Sequence, residues 1–160
     1  MPSPIPRTTR RRFLARTAAG LALAPHVVAA TVLGAGDRPP PSERVVLGYI
    51  GTGPRGMNNI REQLSCPEAQ LVAVCDTWTN RRDAARRFVD AHYKTADCRA
   101  YVDFRDVLGR RDVDAVGIAT PDHWHVPAAI AAMRAGKDVH VEKPLGVSIA
   151  EDLACRDVAR

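Results

Sequence analysis

Two patterns of apolar and polar positions alternate from residue 45 to residue 160. Short, nearly continuous apolar runs bounded by Gly, Pro or charged residues predict buried strands, and apolar residues spaced three and four apart predict amphipathic helices. The predicted strands are 45–50, 71–75, 115–119 and 138–142, and the predicted helices are 57–64, 81–92, 104–108, 126–135 and 147–158. This succession is typical of βαβ units, so a doubly wound parallel α/β sheet is predicted over residues 45–160.

The N-terminal region has a different pattern. Residues 1–36 contain five arginines and no acidic residue, followed by a stretch rich in Ala, Leu and Val. A basic segment, an apolar segment and small residues in that order predict an export signal, and Arg10-Arg11-Arg12-Phe13-Leu14 resembles the twin-arginine class. An uncleaved membrane anchor is the alternative, which Pro25 and His26 disfavour.

The export signal sets expectations about location and organisation. Residues 37–44, with Pro39-Pro40-Pro41-Ser42, are interpreted as an extended linker between the signal and the domain. We expect the protein to contact the twin-arginine export machinery and to reside in the periplasm or cell envelope. Because that machinery moves folded proteins, often with a cofactor in place, an exported cofactor protein is expected.

Charge disfavours a nucleic-acid partner, and the cysteine content disfavours a disulfide-stabilised or zinc-binding protein. Removing the five N-terminal arginines from the 23 Lys and Arg leaves 18, which equals the number of Asp and Glu, so residues 37–160 are formally neutral. A nucleic-acid partner is therefore not expected. The four cysteines are irregularly spaced, which disfavours a disulfide framework or a zinc cluster. Cys75 is predicted to face the core, and one bridge among the other three remains open.

A glycine-rich segment directly follows the first predicted strand. In V-V-L-G-Y-I-G-T-G-P-R-G, Gly51, Gly53 and Gly56 have the spacing G-x-G-x-x-G and open a helix. Gly51 permits a tight turn, Gly53 lets the backbone approach a pyrophosphate, and Gly56 lets helix and strand pack closely. In this context the motif predicts a Rossmann-type dinucleotide site, and an ordinary glycine-rich turn is the alternative.

An acidic residue ends the second predicted strand. Asp76 lies twenty residues beyond Gly56, where a carboxylate accepts hydrogen bonds from the adenosine ribose and repels a 2′-phosphate. NAD is therefore favoured over NADP. Arg81 and Arg82 are close enough to Asp76 in sequence to weaken the preference for NAD over NADP. They are better explained as part of a solvated helix face.

The third predicted strand leads into the loop A-T-P-D-H-W-H-V-P. Asp122 is predicted to cap the next helix, with Pro127 tolerated in its first turn. His123 and His125 suggest zinc, but no further cysteine or carboxylate ligand is evident, so no metal is predicted. The loop is interpreted as a polar segment beside the nicotinamide.

The fourth predicted strand ends on Glu142-Lys143-Pro144, since Pro144 cannot donate to a ladder. A carboxylate and an ammonium thus lie at the carboxyl end of a parallel strand, where ligands bind in such sheets. Hydride transfer from a carbinol carbon requires a group that handles the hydroxyl proton, and Lys143 is suited to that role. A surface lysine at a strand end is the alternative.

Four segments together resemble the cofactor domain of the Gfo/Idh/MocA oxidoreductases: G51-T-G-P-R-G56, C75-D76, A119-T-P-D-H-W-H125 and A135-G-K-D-V-H-V-E-K-P144. The resemblance implies that Lys143 assists proton transfer, that Glu142 contacts the cofactor and that Pro144 fixes the turn, in some members through a cis peptide. Asp122 replaces the Asn of the family's T-P-N-x-x-H loop. The implied cofactor-binding residues are Gly51, Gly53, Arg55, Gly56, Asp76, Thr120, Pro121, Asp122, His125 and Glu142.

The resemblance also implies a function and an oligomeric architecture. We expect an NAD(P)-dependent oxidoreductase acting on a sugar or cyclitol, homo-oligomeric at full length. The family's C-terminal α/β substrate domain is not in this sequence, so the 160 residues are expected to be a fragment or truncated product without turnover of its own. The alternatives are an NAD-dependent glycosidase of the same family and a non-catalytic dinucleotide-binding module.

Overall fold

The computed structural model describes residues 39–160; the predicted export signal and the first two linker residues lie outside this range. The strands are β1 Val45–Ile50, β2 Ala69–Cys75, β3 Arg99–Tyr101, β4 Ala115–Ile118 and β5 Asp138–Val141. The α-helices are α1 Pro54–Leu64, α2 Thr79–Tyr93, α3 Phe104–Leu108, α4 His125–Arg134 and α5 Ile149–Val158. Short 3-10 turns occupy Pro41–Glu43 and Asp122–Trp124.

The five strands form one parallel sheet in the order β3-β2-β1-β4-β5. The direction of strand addition reverses at β1. The chain adds β2 and β3 on one side of β1, and then β4 and β5 on the other side. In an open α/β sheet such a reversal leaves a crevice at the carboxyl ends of the strands. The predicted Rossmann-type α/β fold is confirmed.

Each face of the sheet has its own hydrophobic core. Tyr49 and Val74 lie in the core beneath α1 and α2, whereas their neighbours Ile50 and Cys75 face α3, α4 and α5. This alternation follows from the period of two along a strand, and burial on both faces explains the continuous apolar runs in the sequence. The sheet is thus covered on both sides, and its carboxyl edge is left for ligands.

Most predicted elements are confirmed, with differences at their ends. The predicted bounds 45–50 and 104–108 agree with β1 and α3. The helix predicted to begin at residue 57 corresponds to α1, which begins three residues earlier, and β3 was not predicted. The prediction of an extended linker fails over Pro41–Glu43, which forms a 3-10 turn, while Pro40 keeps φ −59° and ψ 154°. The fixed φ of consecutive prolines is compatible with both conformations, so the pattern does not distinguish them.

The cysteines are not bridged. All four lie within the described residues and are free, and Cys75 is buried in the core as predicted. Burial raises the pKa of the Cys75 thiol to about 12, which disfavours the reactive thiolate. None of the helices within residues 39–160 is both long and apolar enough to cross a lipid bilayer.

Candidate cofactor site

A cavity of about 690 Å³ opens at the carboxyl edge of the sheet, at the reversal between β1 and β4. Its walls come from the segments that follow β1, β2, β3 and β4. The lining residues include Gly51, Gly53, Pro54, Arg55, Asp76, Trp78, Arg81, Phe104, Arg105, Thr120, Pro121, His123 and Trp124. This is the position at which doubly wound sheets bind dinucleotides.

The three glycines play different geometric roles. Gly51 has φ +88°, and a Cβ there would lie 2.5 Å from the carbonyl oxygen of Ala119. A Cβ on Gly56 would overlap the carbonyl oxygen of Gly51, so any side chain would push α1 away from β1. At Gly53, in contrast, a Cβ would have room on the side that faces the cavity. Two glycines therefore hold the turn together, and the third leaves the backbone accessible from the cavity.

The N-terminus of α1 faces this loop without a side-chain cap. Gly53 is the N-cap residue, Pro54 occupies the first helical position, and within the described residues no side chain caps the helix. Amides in the first turn have no partner inside the helix, so those of residues 55 and 56 remain available to an anion. The loop, the free amides and the open face of Gly53 fit a dinucleotide pyrophosphate.

Asp76 binds the glycine-rich loop directly. Its Oδ2 accepts hydrogen bonds from the backbone N–H of Thr52 at 2.8 Å and from the Thr52 hydroxyl at 3.1 Å, and its Oδ1 accepts from the N–H of Trp78 at 2.9 Å. These bonds fix the carboxylate at the end of β2, where a ribose hydroxyl could donate to its remaining lone pairs. Thr52 is buried and was missed, because the motif places no constraint on that position.

Arg81 and Arg82 differ in position, which corrects the view that both belong to a solvated helix face. Arg81 is exposed but lines the cavity, and its guanidinium stacks on the Trp78 ring at 4.2 Å. Arg82 donates from Nη1 to the carbonyl oxygen of Asp76 at 2.8 Å. Of these two arginines, Arg81 is therefore the one whose charge faces the cavity.

The loop after β4 contributes Thr120 and Pro121 to the cavity, but not Asp122. The prediction that Asp122 caps the next helix is wrong. Asp122 begins a 3-10 turn, so α4 starts three residues later with Trp124 as its uncapped N-cap residue. The expected tolerance of Pro127 in the first turn of that helix is confirmed.

His125 is buried behind the loop and does not line the cavity. Its Nδ1 lies 2.6 Å from the carbonyl oxygen of Pro144, and its Nε2 lies 2.9 Å from that of Thr120. The ring thus connects the loop after β4 to the Glu-Lys-Pro turn after β5. Within that turn the Lys143–Pro144 peptide bond is cis.

Glu142 is buried and joins the end of β5 to α1. Its Oε1 accepts from Nδ2 of Asn59 and from Nε of Arg55, both at 2.7 Å. The hydrogen bond from Asn59, followed by that from Arg55, lowers the pKa of this carboxyl to about 2 despite its burial. Asn59 was not singled out from the sequence, because its partner is 83 residues away.

Lys143 lies in a second cavity of about 510 Å³, whose lining also includes Glu142, Asn59 and His140. Arg55 lines both cavities. The structure therefore divides the predicted residues into three groups. Gly51, Gly53, Asp76, Thr120 and Pro121 lie in the first cavity, Glu142 and Lys143 in the second with Arg55 between them, and Gly56, Asp122 and His125 outside both.

The described part of the chain contains no group of three or more His, Cys, Asp or Glu side chains arranged to hold a metal ion. The arrangement at the carboxyl edge instead offers free amides, a fixed carboxylate and an arginine. These groups suit the phosphates and ribose of a dinucleotide.

Comparisons with known proteins agree with this geometry. Residues 45–159 match the family model described as GFO_IDH_MocA, oxidoreductase family, NAD-binding Rossmann fold. A glycosyl hydrolase family 109 protein of Saccharopolyspora erythraea is 42% identical over 112 residues, covering 68% of this chain and 24% of that protein. An alpha-N-acetylgalactosaminidase of Shewanella oneidensis is 35% identical over 119 residues, covering 70% of this chain and 25% of that protein.

Among solved structures, scyllo-inositol dehydrogenase from Lactobacillus casei, with bound NAD(H) and scyllo-inositol, superposes with a TM-score of 0.64 and 26% identity. The match covers 72% of this chain and 32% of that one. The chain spans about a quarter of the length of the curated relatives it matches.

Proposed function

Since the chain belongs to the Gfo/Idh/MocA oxidoreductase family and contains its NAD-binding Rossmann domain, we propose that it is the nucleotide-binding part of an NAD-dependent dehydrogenase. The substrate class is a sugar or cyclitol, oxidised at a carbinol carbon. The observation that supports this most strongly is the cavity at the carboxyl edge of the sheet, with Lys143 in the adjoining cavity. Cofactor and proton-handling groups would then share one edge of the sheet.

In the first cavity, one carboxylate and the backbone amides of α1 would bind the cofactor. Asp76 would accept from the adenosine ribose, and the amides at the N-terminus of α1 would bind the pyrophosphate. Bound NAD supplies a hydride acceptor, and the protein supplies orientation and electrostatics. A carboxylate at position 76 repels a 2′-phosphate, which is the reason for proposing NAD rather than NADP.

Lys143 would act on the substrate hydroxyl. Its ammonium group is the cationic side chain of the Glu-Lys-Pro turn, and its neighbour Glu142 is already neutralised by Arg55. As the neutral amine, Lys143 would take the hydroxyl proton while the carbinol hydride passes to NAD, and as the ammonium it would return that proton in the reverse direction. The scyllo-inositol bound by the Lactobacillus casei enzyme supports a polyol ring as substrate.

A glycosidase is the second candidate, and the names of the curated relatives favour it. In that reaction the sugar would be oxidised transiently by hydride transfer to NAD, which would acidify a neighbouring C–H bond. Loss of that proton would expel the aglycone, water would add in its place, and the hydride would return before product release. Lys143 and Asp76 would keep the same roles in both reactions. The two functions differ in net chemistry, since only the dehydrogenase accumulates NADH.

One experiment separates these functions. The protein as its source cells make it would be incubated with NAD and either scyllo-inositol or an aryl N-acetylgalactosaminide, with NADH and aryl alcohol measured in parallel. Net NADH identifies the dehydrogenase, and aryl alcohol without net NADH identifies the glycosidase. Lys143→Met should reduce either rate at least about a hundredfold, whereas Lys94→Met, an exposed lysine away from both cavities, should not. Tight NAD binding without turnover would instead support a non-catalytic module.

We also propose that the protein is exported with its cofactor, on the support of the arginine-rich segment at residues 10–16. A cofactor retained tightly would suit a compartment without a free NAD pool. Cell fractionation tests this: replacing Arg10, Arg11 and Arg12 by Lys should retain the protein in the cytoplasm. Equal export of the variant would contradict the proposal.

A further inference from the structure

We propose that Arg81 binds the pyrophosphate of the cofactor, supplying positive charge beside Gly53 in addition to the amides of α1. This inference deepens the proposed function and rests on NAD binding in the first cavity. It concerns a residue outside the glycine-rich motif, which in its usual form binds pyrophosphate through backbone amides.

The N-terminus of α1 offers fewer donors than such a motif can provide. Pro54 at the first helical position has no N–H, and the N–H of Thr52 is already bonded to Asp76 at 2.8 Å. The amides of residues 53, 55 and 56 are left for two phosphates. A further donor is needed for the remaining phosphate oxygens.

Arg81 lies on the open side of the loop. Its Nη1 is 3.7 Å from the position that a Cβ on Gly53 would occupy. That position marks the face from which a ligand approaches the backbone of Gly53. The guanidinium is therefore next to the place where the motif puts the pyrophosphate.

The charge of Arg81 is not matched by a carboxylate. Two other arginines line the cavity, and both are paired: Arg55 with Glu142 at 2.7 Å, and Arg105 with Asp103 at 3.1 Å. Within residues 39–160, no ion pair to Arg81 is found within 4.0 Å. An arginine without an acidic partner in a cavity suited to an anion is available for a ligand phosphate.

Trp78 holds the guanidinium in place. The two groups stack at 4.2 Å, which is within the range of cation–π attraction. Stacking restrains a long side chain before the ligand arrives, so less conformational entropy is lost on binding. Arginine presents a planar fork of N–H donors to phosphate, which lysine cannot do.

The 2′-phosphate of NADP is the competing assignment, because Arg81 lies five residues beyond Asp76. The short distance between Arg81 and Gly53 favours the pyrophosphate. Arg81 is near Gly53 and forms no ion pair with Asp76, whose carboxylate marks the ribose position. The proposal therefore predicts that NAD and NADP depend equally on Arg81.

Calorimetric titration of the full chain tests this. Arg81→Gln should weaken NAD, NADP and ADP by about the same factor, roughly tenfold, and leave adenosine unchanged because it has no phosphate. Arg87→Gln is the matched control, since it removes the same charge from an exposed position of α2 outside the cavity. Arg81→Lys should recover part of the lost affinity, because the charge remains while the planar donor fork is lost.

Two results would overturn the inference. An unchanged NAD affinity in Arg81→Gln would remove any phosphate role, and a loss confined to NADP would transfer the role to the 2′-phosphate. A wild-type chain that binds no NAD would contradict the proposed function itself. Failure of the inference alone would appear as NAD binding that is insensitive to Arg81.

Discussion

The glycine-rich half and the Glu-Lys-Pro half of the carboxyl edge are built in different ways. Around Gly51 and Gly56 the geometry comes from close backbone approach, which only glycine permits. Around Glu142 it comes from side chains that meet over long sequence separations, 83 residues to Asn59 and 87 to Arg55. The cofactor half is therefore specified locally, whereas the half with Lys143 depends on the folded sheet.

The difference has a consequence for mutation. A change in the glycine-rich half should distort the backbone and affect folding and cofactor binding together. A change in the Glu-Lys-Pro half should mainly remove individual hydrogen bonds, and its effect should depend on pH. The two halves can thus be separated by experiment.

The largest effect is expected for Gly56→Ala. The new Cβ would overlap the carbonyl oxygen of Gly51, so α1 must move away from β1. We expect a loss of roughly 2–3 kcal/mol in the free energy of unfolding, as in other overpacked sites, together with a loss of NAD binding. Chemical denaturation and NAD titration measure the two losses.

Gly109→Ala is the control for this variant, since a Cβ at Gly109 would lie at an ordinary distance of 3.4 Å from its nearest neighbour. If Gly56→Ala were as stable as Gly109→Ala and bound NAD normally, the close contact between α1 and β1 would not control the cofactor half.

A smaller effect, with a defined pH dependence, is expected for Glu142→Gln. Hydrogen bonds from Asn59 and Arg55 hold the folded-state pKa of Glu142 at about 2, below its ordinary value of 4.5. Between about pH 2 and 4.5 the Glu142 carboxyl is protonated in the unfolded chain and ionised in the folded chain. The contribution of Glu142 to stability is therefore present above about pH 4.5 and is lost as the pH falls toward 2. The variant should lose stability at neutral pH and show a flatter acid limb.

Unfolding free energies measured from neutral to acidic pH test this prediction. Glu68→Gln is the matched control, because Glu68 is an exposed carboxylate outside the second cavity. An acid limb as steep in Glu142→Gln as in the wild-type chain would show that the Asn59 and Arg55 contacts do not stabilise the folded protein.

The sequence alone predicted the parts of the site that depend on local rules. The glycines, Asp76 and Glu142 after the end of β5 follow from spacing and from the properties of Gly and Pro, and the structure places them at the carboxyl edge. β3 was missed because Arg99–Tyr101 is only three residues long and none of its residues is fully buried. A pattern that short gives no periodic signal.

The remaining differences arise from geometry that hydrophobic spacing and motifs do not determine. Asp122 resembles a helix cap, but the 3-10 turn shifts the start of α4 to His125. The ring of His125 bonds to Pro144, 19 residues away, instead of facing the cavity. Arg81 stacks on Trp78, three residues earlier, and lines the cavity. The bond of His125 depends on how elements pack, and the place of Arg81 depends on side-chain conformation, and sequence spacing determines neither.

The central claim is that Asp76 makes the carboxyl edge of this sheet an NAD site. Parallel titrations of NAD and NADP into the wild-type chain and Asp76→Ala test it most directly. We expect the wild type to bind NAD more tightly than NADP. In the variant we expect a loss for NAD of about tenfold or more, with a smaller loss or a gain for NADP. Equal losses for the two cofactors would contradict the claim.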